Sequence, residues 1–198
     1  MERKKTSSEK KDLKEQNNRK NSSASFQGLI QVYTGDGKGK TTAALGLALR
    51  AAGHGFRTYF GQFLKGQPGG EILAVRKLSD LVTVEQFGRK KFLKITEDFE
   101  EEDYKLAEEG LKKCLEAMLS GKYQIIVLDE VNVAVNLGLL KEKQVLEFLD
   151  RKPADVEVVL TGRYAPESFL QRADLVTEMV CRKHYYENGV RARKGIEK

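Results

Sequence analysis

Short apolar runs rich in β-branched side chains alternate along this chain with segments whose apolar positions recur at helical spacing. That alternation predicts strands over 29–34, 57–63, 81–87, 123–129, 155–161 and 174–180. Helices are predicted over 40–52, 70–79, 98–120, 141–150 and 166–172. Gly53-His54-Gly55 closes the first helix with residues that tolerate positive φ, and Pro166 opens the last, where its missing N–H has no helical partner to lose. Strands followed in turn by helices read as an α/β fold: three layers, a mostly parallel sheet with helices on both faces. The run Gln124-Ile125-Ile126-Val127-Leu128 is apolar at consecutive positions after Gln124, as a strand buried on both faces must be.

Residues 1–27 break the pattern. They are rich in Lys, Ser, Asn and Glu, with Leu13 the only large aliphatic residue between Met1 and Phe26. Such a segment cannot bury enough surface to offset its ordering entropy, so it is expected to be a disordered basic tail, with 28–198 forming a single domain. At 198 residues and 40% hydrophobic, the chain suits one well-buried domain. The formal charge of +6 points weakly to nucleic acid, because eight basic against four acidic residues in the tail account for most of it. A solubilising tail is the plainer reading, and a nucleic-acid partner is not expected. No secretory segment follows the lysines and no apolar run approaches a membrane span, so a cytoplasmic protein is expected. Cys114 and Cys181 stand far apart without metal-ligand spacing, and His54 and His184 are equally isolated, so neither a cysteine nucleophile nor a zinc site is indicated.

The first chemical signal lies between the first strand and the first helix, where Thr34 to Thr42 read TGDGKGKTT. A glycine-rich turn there gathers backbone N–H groups around an anion at the positive end of a helix dipole. Lys40 adds a cation and Thr41 a hydroxyl suited to Mg²⁺, which makes this a phosphate-binding loop of the P-loop nucleotide-binding folds. The nucleotide-binding candidates are Gly35, Asp36, Gly37, Lys38, Gly39, Lys40, Thr41 and Thr42, with Arg50 later in the helix. One position departs from the usual spacing: Thr34 stands where the first glycine belongs.

The second signal is Asp129-Glu130, at the carboxyl end of the apolar strand, where ligands bind in open α/β sheets. With Thr41 these acids are the candidate metal ligands for Mg²⁺ or Mn²⁺, although they can also cap the segment from Asn132. Lys65 in Gln62-Phe63-Leu64-Lys65-Gly66 and Arg163 in Leu160-Thr161-Gly162-Arg163 sit at two further strand ends on the same edge, placed either to meet phosphates or to face solvent. The acidic run 97–103 reads as a solvated helix start. By themselves these residues leave the chemistry open between hydrolysis, with Glu130 activating water, and transfer of a phosphoryl group to an alcohol.

From Gly28 to Glu197 the chain resembles the P-loop type of ATP:corrinoid adenosyltransferases, which act on cob(I)alamin or cob(I)yrinic acid a,c-diamide. The resemblance rests on TGDGKGKTTAALGLALRAAGHG at 34–55, QFLKG at 62–66, VLDEVNVAVNLGLL at 127–140, VEVVLTGRYAPE at 156–167, ADLVTEM at 173–179, and the closing Gly189-Val190 with Lys194-Gly195-Ile196. It implies attack of a Co(I) corrinoid on the 5′ carbon of ATP, with triphosphate expelled and Lys40, Thr41 and Glu130 as the catalytic residues. It also implies ATP bound in reverse relative to most P-loop enzymes, an electron donor that reduces Co(II) to Co(I), a homodimer, and in some members an N-terminal segment over the active site. Aromatic residues enclose cobalt's lower face in such enzymes. This chain has no tryptophan for the place some members use, so Phe92 with Phe99 behind it, and Phe63 and Lys65, are the corrinoid-binding candidates. The alternatives are a small-molecule or nucleoside kinase built on the same loop, and a nucleotide-dependent nucleic-acid-binding module using the tail.

Overall fold

The computed structural model describes residues 26–67, 69–75, 77, 80–89 and 99–197. The expectation of a disordered tail therefore lies, up to residue 25, outside the described residues, as does Phe92. In chain order the elements are β1 (Ile30–Thr34), α1 (Lys40–Ala52), β2 (Thr58–Phe63), α2 (Gly70–Val75), β3 (Val82–Phe87), α3 (Glu101–Leu119), β4 (Ile125–Asp129), α4 (Val131–Asn136), α5 (Glu142–Asp150), β5 (Glu157–Thr161), α6 (Glu167–Arg172), β6 (Leu175–Glu178) and a 3₁₀ turn over Tyr185–Asn188. Every predicted strand forms, most of them a residue or two shorter. The short helix α4 and the 3₁₀ turn were not predicted.

All six strands are parallel, in the order β3-β2-β4-β5-β1-β6. Each strand of β4 and β5 is buried over its whole length, and the pleat sends alternate side chains to opposite faces. Ile126 and Leu128 of β4 and Val158 and Leu160 of β5 join Phe63, Cys114, Met118, Phe148 and Phe169 in one core under α3 to α6. Ile125 and Val127, with Val159 and Phe60, meet Ala44 and Ala51 of α1 on the other face. The result is the three-layer α/β architecture expected from the sequence.

The helix α1 ends at Gly53 in ordinary helical geometry, and the positive φ falls two residues later, at Gly55. Pro166 stands immediately before α6. The acidic start of α3 has more than a solvated role: Asp103 is buried and takes both Nε and Nη2 of Arg89 at 2.7 Å, while Glu100 N–H donates to its carboxylate. A bidentate pair of this kind ties the end of β3 to the start of α3. Cys114 is fully buried, and burial pushes its thiol well above the usual range. Cys181 lies just beyond β6, half-buried.

Gly61 in β2 is required by packing between layers. A Cβ there would stand 2.5 Å from the Cys114 sulfur and 3.4 Å from the Phe87 ring. Gly61→Ala is predicted to overpack this contact at a cost of about 1–3 kcal/mol, read as a lower urea midpoint. Adding Cys114→Ala removes the obstructing sulfur, so the double variant is predicted to be more stable than Gly61→Ala alone.

Candidate active site at the carboxyl edge of the sheet

β1 runs into the glycine-rich loop, and the loop runs directly into α1, whose first residue is Lys40. Lys40 is 7% exposed, and its ammonium donates to the carbonyls of Gly35 and Gly37, 2.7 Å each. Burial holds its pKa below the usual lysine value, opposed by the nearby Glu130 carboxylate. A cation hydrogen-bonded to carbonyl dipoles in a glycine-rich turn is well placed to exchange them for an anion.

The loop is clamped from β6. Met179 N–H donates to the Thr34 carbonyl at 2.9 Å, and Gly37 N–H donates to the Met179 carbonyl at 2.6 Å, so that amide of the loop is already engaged. A Cβ at Gly35 or Gly37 would stand 2.5 or 2.6 Å from the same Met179 carbonyl oxygen. These glycines therefore admit the neighbouring chain, and Gly35 also holds φ +91°. Asp36 accepts from Cys181 N–H at 3.0 Å, the main reason its carboxyl lies below the usual range. Lys38 reaches the opposite way, to Tyr185 Oη, the Ile196 carbonyl and Glu197. Thr41 is half-buried and Thr42 exposed at the start of α1. Gly39, with φ +122°, turns the chain into the helix.

Across from the loop, Asp129 is fully buried at the end of β4. One carboxylate oxygen accepts from Thr161 Oγ1 at 2.7 Å, and the other accepts from Gln62 Nε2 at 3.0 Å and has Lys65 Nζ at 3.6 Å. Glu130 follows in the left-handed region, φ 64°, with its N–H donating to Thr161 Oγ1 at 3.0 Å. Burial first, and then the Asp129 charge, raise the Glu130 carboxyl above its ordinary pKa, while Lys65, Lys40 and Arg163 oppose the rise. Arg163 is exposed and completes a ring of cations around the acids. Leu64, Glu130 and Tyr164, the non-glycine residues with positive φ among those described, all follow strands at this edge. Backbone held in such sparsely populated conformations gathers where the surroundings fix functional groups.

Lys40, Asp129, Glu130, Lys65 and Arg163 thus come together, with Thr41 next to Lys40 in the first turn of α1. Two candidates do not. Phe63 is fully buried and packs against Phe87, ring centroids 5.9 Å apart, so it belongs to the core and offers a ligand no surface. Strand period two points it into the core under α3 to α6, which its position at a strand end concealed. Arg50 is exposed in the last turn of α1, about 15 Å along the helix axis from Lys40 at 1.5 Å per residue. Phe99 is partly buried against the core ahead of α3. A separate hollow of about 510 Å³, lined by Phe26, His54, Phe56, Gln124 and Asp155, opens at the amino ends of the strands, away from these groups.

Sequence reasoning missed Gln62, Thr161 and Asn132. Asn132 is fully buried and donates to the Gly162 carbonyl at 3.1 Å, with its own side-chain oxygen unpartnered. For Gln62 and Thr161 the available signal was a polar residue near the carboxyl end of a buried strand; Asn132, in α4, gave none.

Comparison with known proteins decides the family. Residues 26–197 match the profile of the ATP:corrinoid adenosyltransferase BtuR/CobO/CobP family. The chain belongs to the ATP:corrinoid adenosyltransferase family. It is 36% identical over 172 residues to a corrinoid adenosyltransferase of Pseudomonas aeruginosa, covering 86% of this chain and 84% of that protein. It is 35% identical over 173 residues to the corrinoid adenosyltransferase of Escherichia coli, covering 86% of each. An uncharacterised protein of Nostoc sp. is 37% identical over 180 residues, and there the match spans 47% of the longer relative. Membership makes this chain a transferase and gives the carboxyl-edge groups a family context.

The raised pKa of Glu130 has a consequence for this adenosyltransferase-family site. A carboxyl held above its ordinary value contributes stability at acidic pH that is lost as pH climbs through the raised value. Glu130→Gln, which cannot ionise, is therefore predicted to melt at a higher temperature than the parent near pH 7. The gap should close as the pH approaches about 4. A melting series across that range checks it.

Proposed function

We propose that this protein transfers the 5′-deoxyadenosyl group of ATP to the Co(I) centre of a corrinoid and releases triphosphate. The observation that carries the reading, beside family membership, is Lys40 held by two loop carbonyls opposite the Asp129-Glu130 pair. In the transfer the Co(I) lone pair forms the bond to the 5′ carbon, and the carbon–oxygen bond breaks with its electrons leaving on the triphosphate. The nucleophile has no proton to lose, so no general base is needed. Negative charge gathers instead on the leaving group, where a preorganised cation acts most strongly.

Lys40 serves that charge by exchanging carbonyl oxygens for phosphate oxygens, a stronger charge-assisted pairing. The backbone amides of Gly35, Lys38, Gly39, Thr41 and Thr42 orient the same phosphates, with Arg163 at the rim. The donor set suits Mg²⁺ or Mn²⁺: one hydroxyl, Thr41, and two carboxylates, all hard oxygens. No group of three or more His, Cys, Asp or Glu side chains gathers among the described residues, which accords with an ion that relies on water and phosphate oxygens. Such an ion, held by Thr41 and Glu130 with Asp129 acting through water, would neutralise charge on the triphosphate.

Lys65 and Phe99, with Phe92 in the segment that Arg89 and Asp103 bracket, are the residues proposed for the corrinoid side. The reading includes an electron donor for Co(II) and a homodimer, both drawn from the family resemblance, and the cytoplasmic setting expected from the sequence. Among the described residues no helix is long and apolar enough to cross a membrane.

The test is an anaerobic incubation with ATP, Mg²⁺ and pre-reduced corrinoid, following the Co(I) spectrum and the phosphate products. Adenosyl corrinoid and triphosphate in equal amounts are expected; ADP with unchanged corrinoid would establish a kinase instead. Lys40→Ala is predicted to lower kcat by about 10²-fold or more, and near-parental turnover would remove Lys40 from the mechanism. Phe92→Ala is predicted to slow the reaction more from Co(II) than from chemically pre-reduced Co(I). Equal losses would assign Phe92 to packing.

A further inference from the structure

A row of polar side chains crosses four adjacent strands just below the candidate site. Register places Gln62 of β2 beside Gln86 of β3 and beside Asp129 of β4, and the Leu128–Leu160 pairing carries the row on to Thr161 of β5. Gln86 Nε2 donates to Gln62 Oε1 at 2.9 Å and to the Gln67 carbonyl at 3.1 Å. Gln62 Nε2 donates to Asp129, Thr161 Oγ1 donates to the other Asp129 oxygen, and Glu130 N–H donates to Thr161 Oγ1. Gln62, Asp129 and Thr161 are each fully buried, Asp129 at the end of a strand otherwise made of Ile, Val and Leu.

The direction of this chain of hydrogen bonds is set by chemistry. A carboxylate only accepts, so Gln62 must turn its NH₂ toward Asp129 and its oxygen toward Gln86. Thr161 has one proton and gives it to Asp129, leaving a lone pair for the N–H of Glu130 at its left-handed turn. Buried polar groups of this kind tolerate few arrangements, because any unpaired member is costly. At the far end, the Gln67 carbonyl belongs to the loop that carries Lys65, so that loop is fixed to the same unit.

We propose that Gln62 is a positioning residue for the nucleotide and its metal. Through Asp129 and Thr161 it sets where the two acids stand, and through Gln86 it holds the Lys65 loop at a fixed distance from them. The inference rests on the reading of Asp129 and Glu130 as the acids that meet Mg²⁺ and ATP. Methionine at position 62 would fill nearly the same volume but cannot donate to Asp129. The bare oxygen would then draw Lys65 inward from 3.6 Å and turn the carboxylate away from its working position.

The experiment measures ATP affinity by calorimetry with the full chain, over a Mg²⁺ series that includes none, in the absence of corrinoid. In the parent, Mg²⁺ should tighten ATP binding. In Gln62→Met the tightening should shrink about tenfold or more, as for loss of a hydrogen bond to a charged group, while metal-free affinity stays within about twofold. Thr161→Val should reproduce the loss and Thr161→Ser, which keeps the hydroxyl, should not. The Gln62→Met and Thr161→Val losses should be less than additive, since both act through one carboxylate. Parental Mg²⁺ tightening in Gln62→Met, or an equal loss of metal-free affinity, would overturn the proposal. If Gln62→Met does not fold, the Thr161 pair decides by the same criteria. A parent that binds ATP in this Mg²⁺-dependent way yet makes no adenosyl corrinoid would sink the adenosyl-transfer reading alone. A parent indifferent to Mg²⁺ would sink this one.

Discussion

The carboxylate of Asp129 is buried at the carboxyl end of a central strand, and that edge of the sheet is organised around satisfying it. An unpaired charge at that depth would be too costly for the fold to hold. Thr161 and Gln62 supply the hydrogen bonds, and each comes from a neighbouring strand at the same level of the sheet. Satisfying Asp129 therefore fixes three strand ends relative to one another. Glu130 is placed as a by-product: its N–H meets Thr161, and its side chain emerges beside a cation ring instead of within the sheet.

The two acids consequently differ although they are adjacent. Asp129 is surrounded by donors within the sheet, whereas Glu130 sits where burial and its neighbour disfavour its charge. Lys40 shows the complementary imbalance, a buried ammonium whose pKa is lowered and whose immediate partners are neutral carbonyls. A raised acid and a lowered base at one edge of the sheet form the kind of paired imbalance that gathers at functional sites. Such strain at a site, offset by close packing of the sheet beneath it, is the usual relation between function and stability.

The fold was legible because its signals are local. Strand, glycine turn and helix stand within one short stretch at 29–52, and the apolar run before Asp129 marks a central strand without reference to the rest of the chain. What could not be read depends on distant partners. Asp36 was assigned to the nucleotide on the strength of its loop, but its acceptor oxygen is taken by Cys181, 145 residues away. Lys38 is likewise drawn to Glu197, which lies 159 residues on. Phe63 was misplaced for a different reason. A strand end exposes its last residues on one face only, and the parity that decides which is set by packing against Phe87 from β3.

The departure at position 34 follows from the same clamp. A glycine is needed where φ is positive or where the chain passes too close for a Cβ, and those conditions hold at Gly35 and Gly37. They do not hold at Thr34, which is still the last residue of β1 and is absent from the positive-φ positions. Its carbonyl pairs with Met179 in the parallel ladder to β6, and its hydroxyl accepts from Ala165 N–H at 3.3 Å. Ala165 follows Arg163 and the left-handed Tyr164, so threonine at this position braces the loop after β5 against the glycine-rich loop. Glycine would keep the ladder and lose the brace. Position 34 thus belongs to β1, and the turn itself begins at Gly35.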